Sequence, residues 1–193
     1  MGDHVQVLVD VDATSADASA LADRALDWLV REGIVLAERN DGDRWARRDY
    51  PPGAHWAKAV DELDDDCNPE YGPTIEIGRT MFHGYQNDVG DATCPLCARR
   101  TDFITEDWDY IEGAKEPFDL AIETWRETGL ATVTCGYCDL ASDVQAWTWS
   151  DGSMALGYLG FEFWNWPDFT SRFVDEFAGA LGGHRIARVW GKL

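Results

Sequence analysis

Cys94-Pro95-Leu96-Cys97 and Cys135-Gly136-Tyr137-Cys138 hold four of the five cysteines of this 193-residue chain, and their positions organise everything around them. Two intervening residues let each pair turn both sulfurs toward one point, and two such pairs supply the four thiolates of a tetrahedral zinc site. Four cysteines leave no open coordination position, so the expected role is structural, with one Zn²⁺ per chain. Cys-x-x-Cys is also a thioredoxin-type redox signature, in which the first cysteine opens a helix after a strand. The second pair is set differently, between Thr132-Val133-Thr134 and the β-prone stretch Val144 to Trp149, which favours a metal knuckle on a hairpin. Residues 98–134 separate the pairs, 37 in all, against about fifteen to twenty in a compact four-cysteine site. An insertion accounts for the excess: Glu116-Pro117 opens a helix through about Glu127, with Phe118, Ile122 and Trp125 on one face and Gly129 as its stop.

The flanks of this segment follow a common grammar. Val5 to Val11 reads as a strand, Thr14 with Asp17 as a capping-box-like start, and Ala18, Leu21, Ala22, Ala25, Trp28 and Leu29 as one face of a helix ending near Arg31. Gly33 closes that helix, and Ile34-Val35-Leu36 is expected to return as a strand. At the other end, Gly157 to Trp166 is β-prone and Pro167 suits a helix first turn. Phe169, Phe173, Phe177 and Leu181 recur every four residues, Gly182-Gly183 stops the helix, and Ile186 to Trp190 makes a last strand. Two β-α-β units predict an α+β fold, a ferredoxin-like sandwich with an inserted lobe. The expected division is a discontinuous core of residues 1–91 and 151–193, with the lobe at 92–150. The two units share no close sequence repeat.

Between them, residues 37–74 read as a charged surface excursion with Pro51-Pro52-Gly53, a short helix near Ala57 to Leu63 and the acidic run Asp61 to Asp66. Thr74 to His83 is expected as a strand with Ile75, Ile77 and Met81 on one face. Asp151-Gly152 predicts a hairpin turn joining Val144–Ser150 to a strand from Ser153.

Charge narrows the function classes. Thirty-six acidic against 16 basic residues give a formal net charge of −20. Such a field repels phosphate backbones, and the basic stretches Arg44 to Arg48 and Arg99-Arg100 are short and flanked by acids, so nucleic-acid binding is not expected. A strongly acidic surface serves solubility or attracts a basic protein partner. No apolar run approaches membrane-spanning length, and Met1-Gly2-Asp3-His4 lacks the features of a secretory signal, so a cytoplasmic protein is expected. The odd cysteine count fits the same reducing compartment.

Other chemistry-bearing residues are sparse. Trp147 and Trp149, like Trp164 and Trp166, sit two apart and should share sheet faces. Each pair either fills a core or forms a partner surface, and Phe161 and Phe163 in the same register favour the core. Of the histidines, His83 after a strand and His55 are the candidates for a catalytic role, with Cys67 as a nucleophile in a cleft beside the lobe. The carboxylates of Asp64-Asp65-Asp66 would disfavour the Cys67 thiolate. His4 and His184 carry no motif, no phosphate loop or dinucleotide fingerprint occurs, and the acidic run lacks the alternation and glycine of a calcium loop. No catalytic or organic-cofactor residues are therefore assigned.

The two knuckles resemble those of zinc-ribbon proteins, a resemblance that covers residues 92–150. It implies a structural zinc and an adaptor role toward nucleic acid or protein, of which the charge favours protein. The Ala-, Asp-, Gly- and Arg-rich composition resembles that of proteins from high-GC bacteria. The expected function is a zinc-stabilised acidic binding protein that engages a protein partner, with the small enzyme as the alternative.

Overall fold

A computed structural model describes residues 3–39, 50–61, 69, 71–84 and 89–192. Its elements are β1 (His4–Asp10), α1 (Ala18–Arg31), β2 (Thr74–His83), β3 (Asp91–Thr93), β4 (Arg100–Asp102) and α2 (Glu116–Thr128). They continue with β5 (Thr132–Thr134), β6 (Ala141–Asp143), β7 (Thr148–Trp149), β8 (Met154–Trp164), α3 (Ser171–Ala180) and β9 (Ile186–Lys192). The architecture mixes helices with antiparallel sheets: a four-stranded sheet ordered β2-β8-β1-β9, a three-stranded sheet ordered β4-β3-β7, and a β5-β6 hairpin.

α1 forms where its apolar spacing places it, burying Ala18, Leu21, Ala22, Ala25 and Leu29. The Thr14 N–H donates to Asp17 at 2.6 Å, so the capping pair exists one turn ahead of the helix proper. Gly33, at φ +70°, reverses the chain and lets the Ile34 N–H reach the Leu29 carbonyl. α3 starts at Thr170, whose hydroxyl accepts the Phe173 N–H at 2.9 Å. Pro167 therefore precedes α3 rather than lying in its first turn. Phe173 and Phe177 of α3, with Phe169 and Leu181 beside it, pack with Trp28 of α1 against Phe161 and Phe163 of β8, the ring pairs lying 4.8 to 6.2 Å apart.

Two connections differ from expectation. Ile34-Val35-Leu36 is not a strand; only Val35 makes a bridge, to Pro52, because the opposing Pro51-Pro52 has no N–H to offer a ladder. The strand that follows α1 is β2, which lies parallel to β1 with β8 between them. Asp151-Gly152 does not join a hairpin either. β8 already pairs β2 on one edge and β1 on the other, so β7 pairs β3 instead, and residues 150–152 form a 3-10 turn with Gly152 at φ +62°. The expected helix near Ala57 is a 3-10 turn, Trp56–Ala59, while residues 62–66 of the acidic run lie outside the described residues.

The sheet curls until its outer strands meet. Gly84, just past β2, lies against β9, where a Cβ on Gly191 would collide with the Gly84 backbone. The Phe82 ring lies directly over Gly160, a place where no side chain would fit, and joins Val5, Val7, Val9, Trp164 and Val189 in a closed apolar layer. A third apolar cluster fills the segment between β3 and β7: Phe103, Phe118, Ile122, Trp125, Trp147 and Trp149, continuous with Met154 and Leu156 of β8. The core of the cysteine-bearing segment is thus shared with the sheet.

Candidate functional site

β3 and β4 flank the first knuckle, and β5 and β6 the second, so each cysteine pair caps a three-residue hairpin. The two caps repeat one another. The Leu96 N–H donates to Cys94 Sγ and the Tyr137 N–H to Cys135 Sγ, both at 3.4 Å. The Cys94 N–H donates to the Arg99 carbonyl at 2.9 Å and the Cys135 N–H to that of Leu140 at 3.0 Å, and Ala98 and Asp139 each adopt φ +56°. Dissimilar residues thus build one backbone device twice.

The device brings all four sulfurs together. The Sγ atoms of Cys94, Cys97, Cys135 and Cys138 lie within 4.8 Å of one another, and Cys97 Sγ is 3.7 Å from Cys135 Sγ. A tetrahedral ion at a metal–sulfur distance of about 2.3 Å needs sulfurs about 3.8 Å apart. The four thiols are free of disulfides, with Cys94 and Cys135 buried and Cys97 and Cys138 partly exposed. The residues therefore fit a tetrathiolate metal site.

Its electrostatics suit a cation. At Cys135 the Tyr137 N–H, helped by the Cys138 N–H, outweighs desolvation and brings the thiol down to about 7. At Cys97 the Arg99 N–H favours the thiolate, but desolvation and three neighbouring sulfurs together push the thiol up to about 12. Cys138 is raised too, against the Leu140 N–H, by desolvation and by Cys135 and Cys94. Four sulfurs this close cannot all ionise alone, and a bound cation relieves that conflict. The Arg99 guanidinium spans the two knuckles, 5.5 Å from the centre of the Tyr137 ring.

The tryptophan pairs lie in the core. Trp147 and Trp149 pack edge-on to Phe118 at 4.8 and 5.7 Å. Trp166 is sealed under Phe163 and Phe169, with its indole N–H donating to the Tyr71 carbonyl at 2.6 Å, and Trp164 lies in the closed layer with Val5. All four are buried, so none offers the partner surface considered for it. The physical reason is closure: curling of the sheet covers one face and the α2 cluster fills the seam with β8.

His55 and His83 lie on different elements. His55 precedes the Trp56–Ala59 turn, 3.3 Å from the Glu32 carbonyl through Nδ1, while His83 ends β2 opposite Met154. Cys67 falls outside the described residues. A different histidine meets a buried carboxylate: His184 Nδ1 lies 2.9 and 3.1 Å from the oxygens of Asp10, which has no solvent exposure and also accepts the Asp12 and Ala13 N–H groups. No local pattern announced this pair, because 174 positions separate its members.

An exposed aromatic segment also escaped the sequence reasoning. Residues 104–110 form a tight reversal closed by an Ile104–Tyr110 bridge and by the Thr105 N–H donating to the Asp109 carbonyl at 2.8 Å. Trp108 stands at its tip, 78% exposed and at φ +65°, with Tyr110 71% exposed beside it. A left-handed backbone at a bulky residue is uncommon and costs on the order of 1 kcal/mol or more. Glu106, Asp107, Asp109 and Glu112 surround the pair. The available signal was composition: two aromatics in the run Glu106-Asp107-Trp108-Asp109-Tyr110-Ile111-Glu112, with no apolar periodicity to bury them.

Among the described residues, no helix is long and apolar enough to cross a membrane. Comparison of the chain with protein-family models, with curated proteins and with solved structures finds no match.

Proposed function

We propose that the chain is a zinc-stabilised, acidic binding protein that engages a basic protein partner. The observation that carries this reading is the display of Trp108 and Tyr110 among Glu106, Asp107, Asp109 and Glu112 on a chain of net charge −20. Exposed aromatics give a partner apolar area and a face for guanidinium or ammonium groups, and the carboxylates steer such groups to it.

The metal in this reading is Zn²⁺, held by Cys94, Cys97, Cys135 and Cys138. Four thiolates in tetrahedral reach are the ligand set of structural zinc, and they leave no position for substrate. When bound, the ion supplies a crosslink between the two hairpins; the knuckle N–H groups orient and stabilise the thiolates, and Arg99 packs across to Tyr137 of the second knuckle. Residues 92–150 act in this reading as a zinc-ribbon-like lobe inserted into a ferredoxin-like core. The order β2-β8-β1-β9, with α1 after β1 and α3 after β8, supports that topology.

Affinity capture with the native chain and with a Trp108→Ala variant, each at low and high salt, tests the binding role. A partner retained by the native chain at low salt, released by salt and lost with Trp108→Ala supports it. Identical retention by the two chains removes the aromatic tip from recognition and refutes the reading.

A further inference from the structure

We infer that a cleft beside the Trp108 tip receives the side chain of a single arginine, an inference that rests on the binding role proposed above and names the group it recognises. The cleft has a volume of about 400 Å³ and lies between the outer face of the β3–β4 hairpin and the reversal that carries Trp108. Its floor is closely built. The Ser150 hydroxyl accepts the Gly90 and Asp91 N–H groups at 3.1 and 3.2 Å, and Ile104 lies so near Gly90 that a Cβ there would sit 3.3 Å from Ile104 Cδ1.

Strand register sets the charge of this cleft. Ala92 of β3 is buried in the core, so Asp91 and its cross-strand partner Asp102, with Arg100 two residues before it, stand on the outer face. The ion pairs agree: Arg100 Nε lies 2.8 Å from Asp102 and Nη1 3.9 Å from Asp91. Glu106 adds a third carboxylate to the lining, and three carboxylates against one guanidinium leave a formal charge of −2. The cleft therefore attracts a cation. Among the described residues only the four cysteines bring three or more metal-ligating atoms together, so these carboxylates are not gathered around an ion. The other walls are Ile104, Ile111 and the exposed Trp108, which suit an apolar stem behind the charge. A planar guanidinium stacks on an indole and donates in a fork to a carboxylate, whereas an ammonium does neither as well.

The test is an NMR titration at low salt with acetyl-Gly-Arg-Gly-amide, beside its lysine and citrulline counterparts. The indole N–H signal of Trp108, identified by its absence from Trp108→Ala, and the backbone signal of Gly90 are the readouts. The arginine peptide is expected to shift both saturably, with a dissociation constant below about 10 mM; the lysine peptide should bind more weakly and the neutral citrulline peptide should leave both in place. Asp102→Asn combined with Glu106→Gln should weaken the arginine peptide about tenfold or more, with the melting temperature measured alongside to show that the fold is kept. If the arginine peptide gives no saturable shift, if citrulline or lysine acts equally, or if the double variant binds as the native chain does, the cleft is refuted as an arginine site. Salt-sensitive capture of a protein through Trp108 despite such a result leaves the binding role standing and removes only the cleft. Arginine-peptide binding without any captured partner does the reverse.

Discussion

Replacing Cys135 by Ser removes one sulfur from the centre while leaving a side chain of nearly the same size. The backbone bonds of the knuckle, from the Cys135 N–H to Leu140 and from the Asp139 N–H to the residue's own carbonyl, do not involve the sulfur. What is lost is the crosslink, together with the sulfur that accepts the Tyr137 N–H at 3.4 Å. A metal joining Cys97 to Cys135 closes a loop over residues 97–135, and the chain-entropy relation for a closed loop of about 39 residues gives about 4 kcal/mol. The hairpins it joins are three residues per strand, too short to stand alone. For a chain of this length that loss lowers the melting temperature by roughly 8 to 16 °C. Calorimetry beside elemental analysis reads both consequences: Cys135→Ser should lose the stoichiometric metal and melt earlier by that margin. A variant that keeps one equivalent of metal, or melts within roughly 2 °C of the native chain, refutes the assignment of the centre as the clamp of this segment.

Three further outcomes follow from the fold. Asp10→Ala strands the Asp12 and Ala13 N–H groups and the His184 ring, and is expected to cost about 3 kcal/mol in urea denaturation; His184→Ala, which leaves the backbone bonds intact, about 1 kcal/mol. Gly160→Ala drives a methyl group into the Phe82 ring and should destabilise by about 1 to 3 kcal/mol, while Gly136→Ala, with open space around it, should change stability little by the same measurement. The Arg185 guanidinium holds the Asp12 carboxyl below its ordinary range, so this group's contribution is complete above the unfolded pKa and fades as pH falls through the lowered native value. The pair is largely exposed, so Arg185→Ala should cost under about 1 kcal/mol at neutral pH, and the gap to the native chain should close in acid.

The parts of this molecule governed by local spacing were legible in its sequence. α1 and α3 repeat their apolar residues at the helical period, β8 is a nearly continuous β-prone apolar run, and the four cysteines announce a common centre by residue type and spacing. Pairing was not legible, because it depends on which edges are already taken: residues 144–150 look ready to join the strand after Asp151-Gly152, yet β1 and β2 occupy both sides of β8. Ile34-Val35-Leu36 has the composition of a strand, but prolines oppose it. Alternation placed the tryptophans on sheet faces without revealing that the sheet curls until Gly84 meets Gly191. The His184–Asp10 pair arises from residues far apart in the chain, whereas Trp108 was visible as an aromatic among acids, a pattern that helix and strand periodicities do not detect.

X-ray absorption at the zinc edge, on protein purified without added metal and with its metal content measured in parallel, tests the proposed centre most directly. One zinc per chain surrounded by four sulfurs at about 2.3 Å is the expected result. Stoichiometric iron, a shell containing nitrogen or oxygen, or protein that folds and melts identically without bound metal would contradict it.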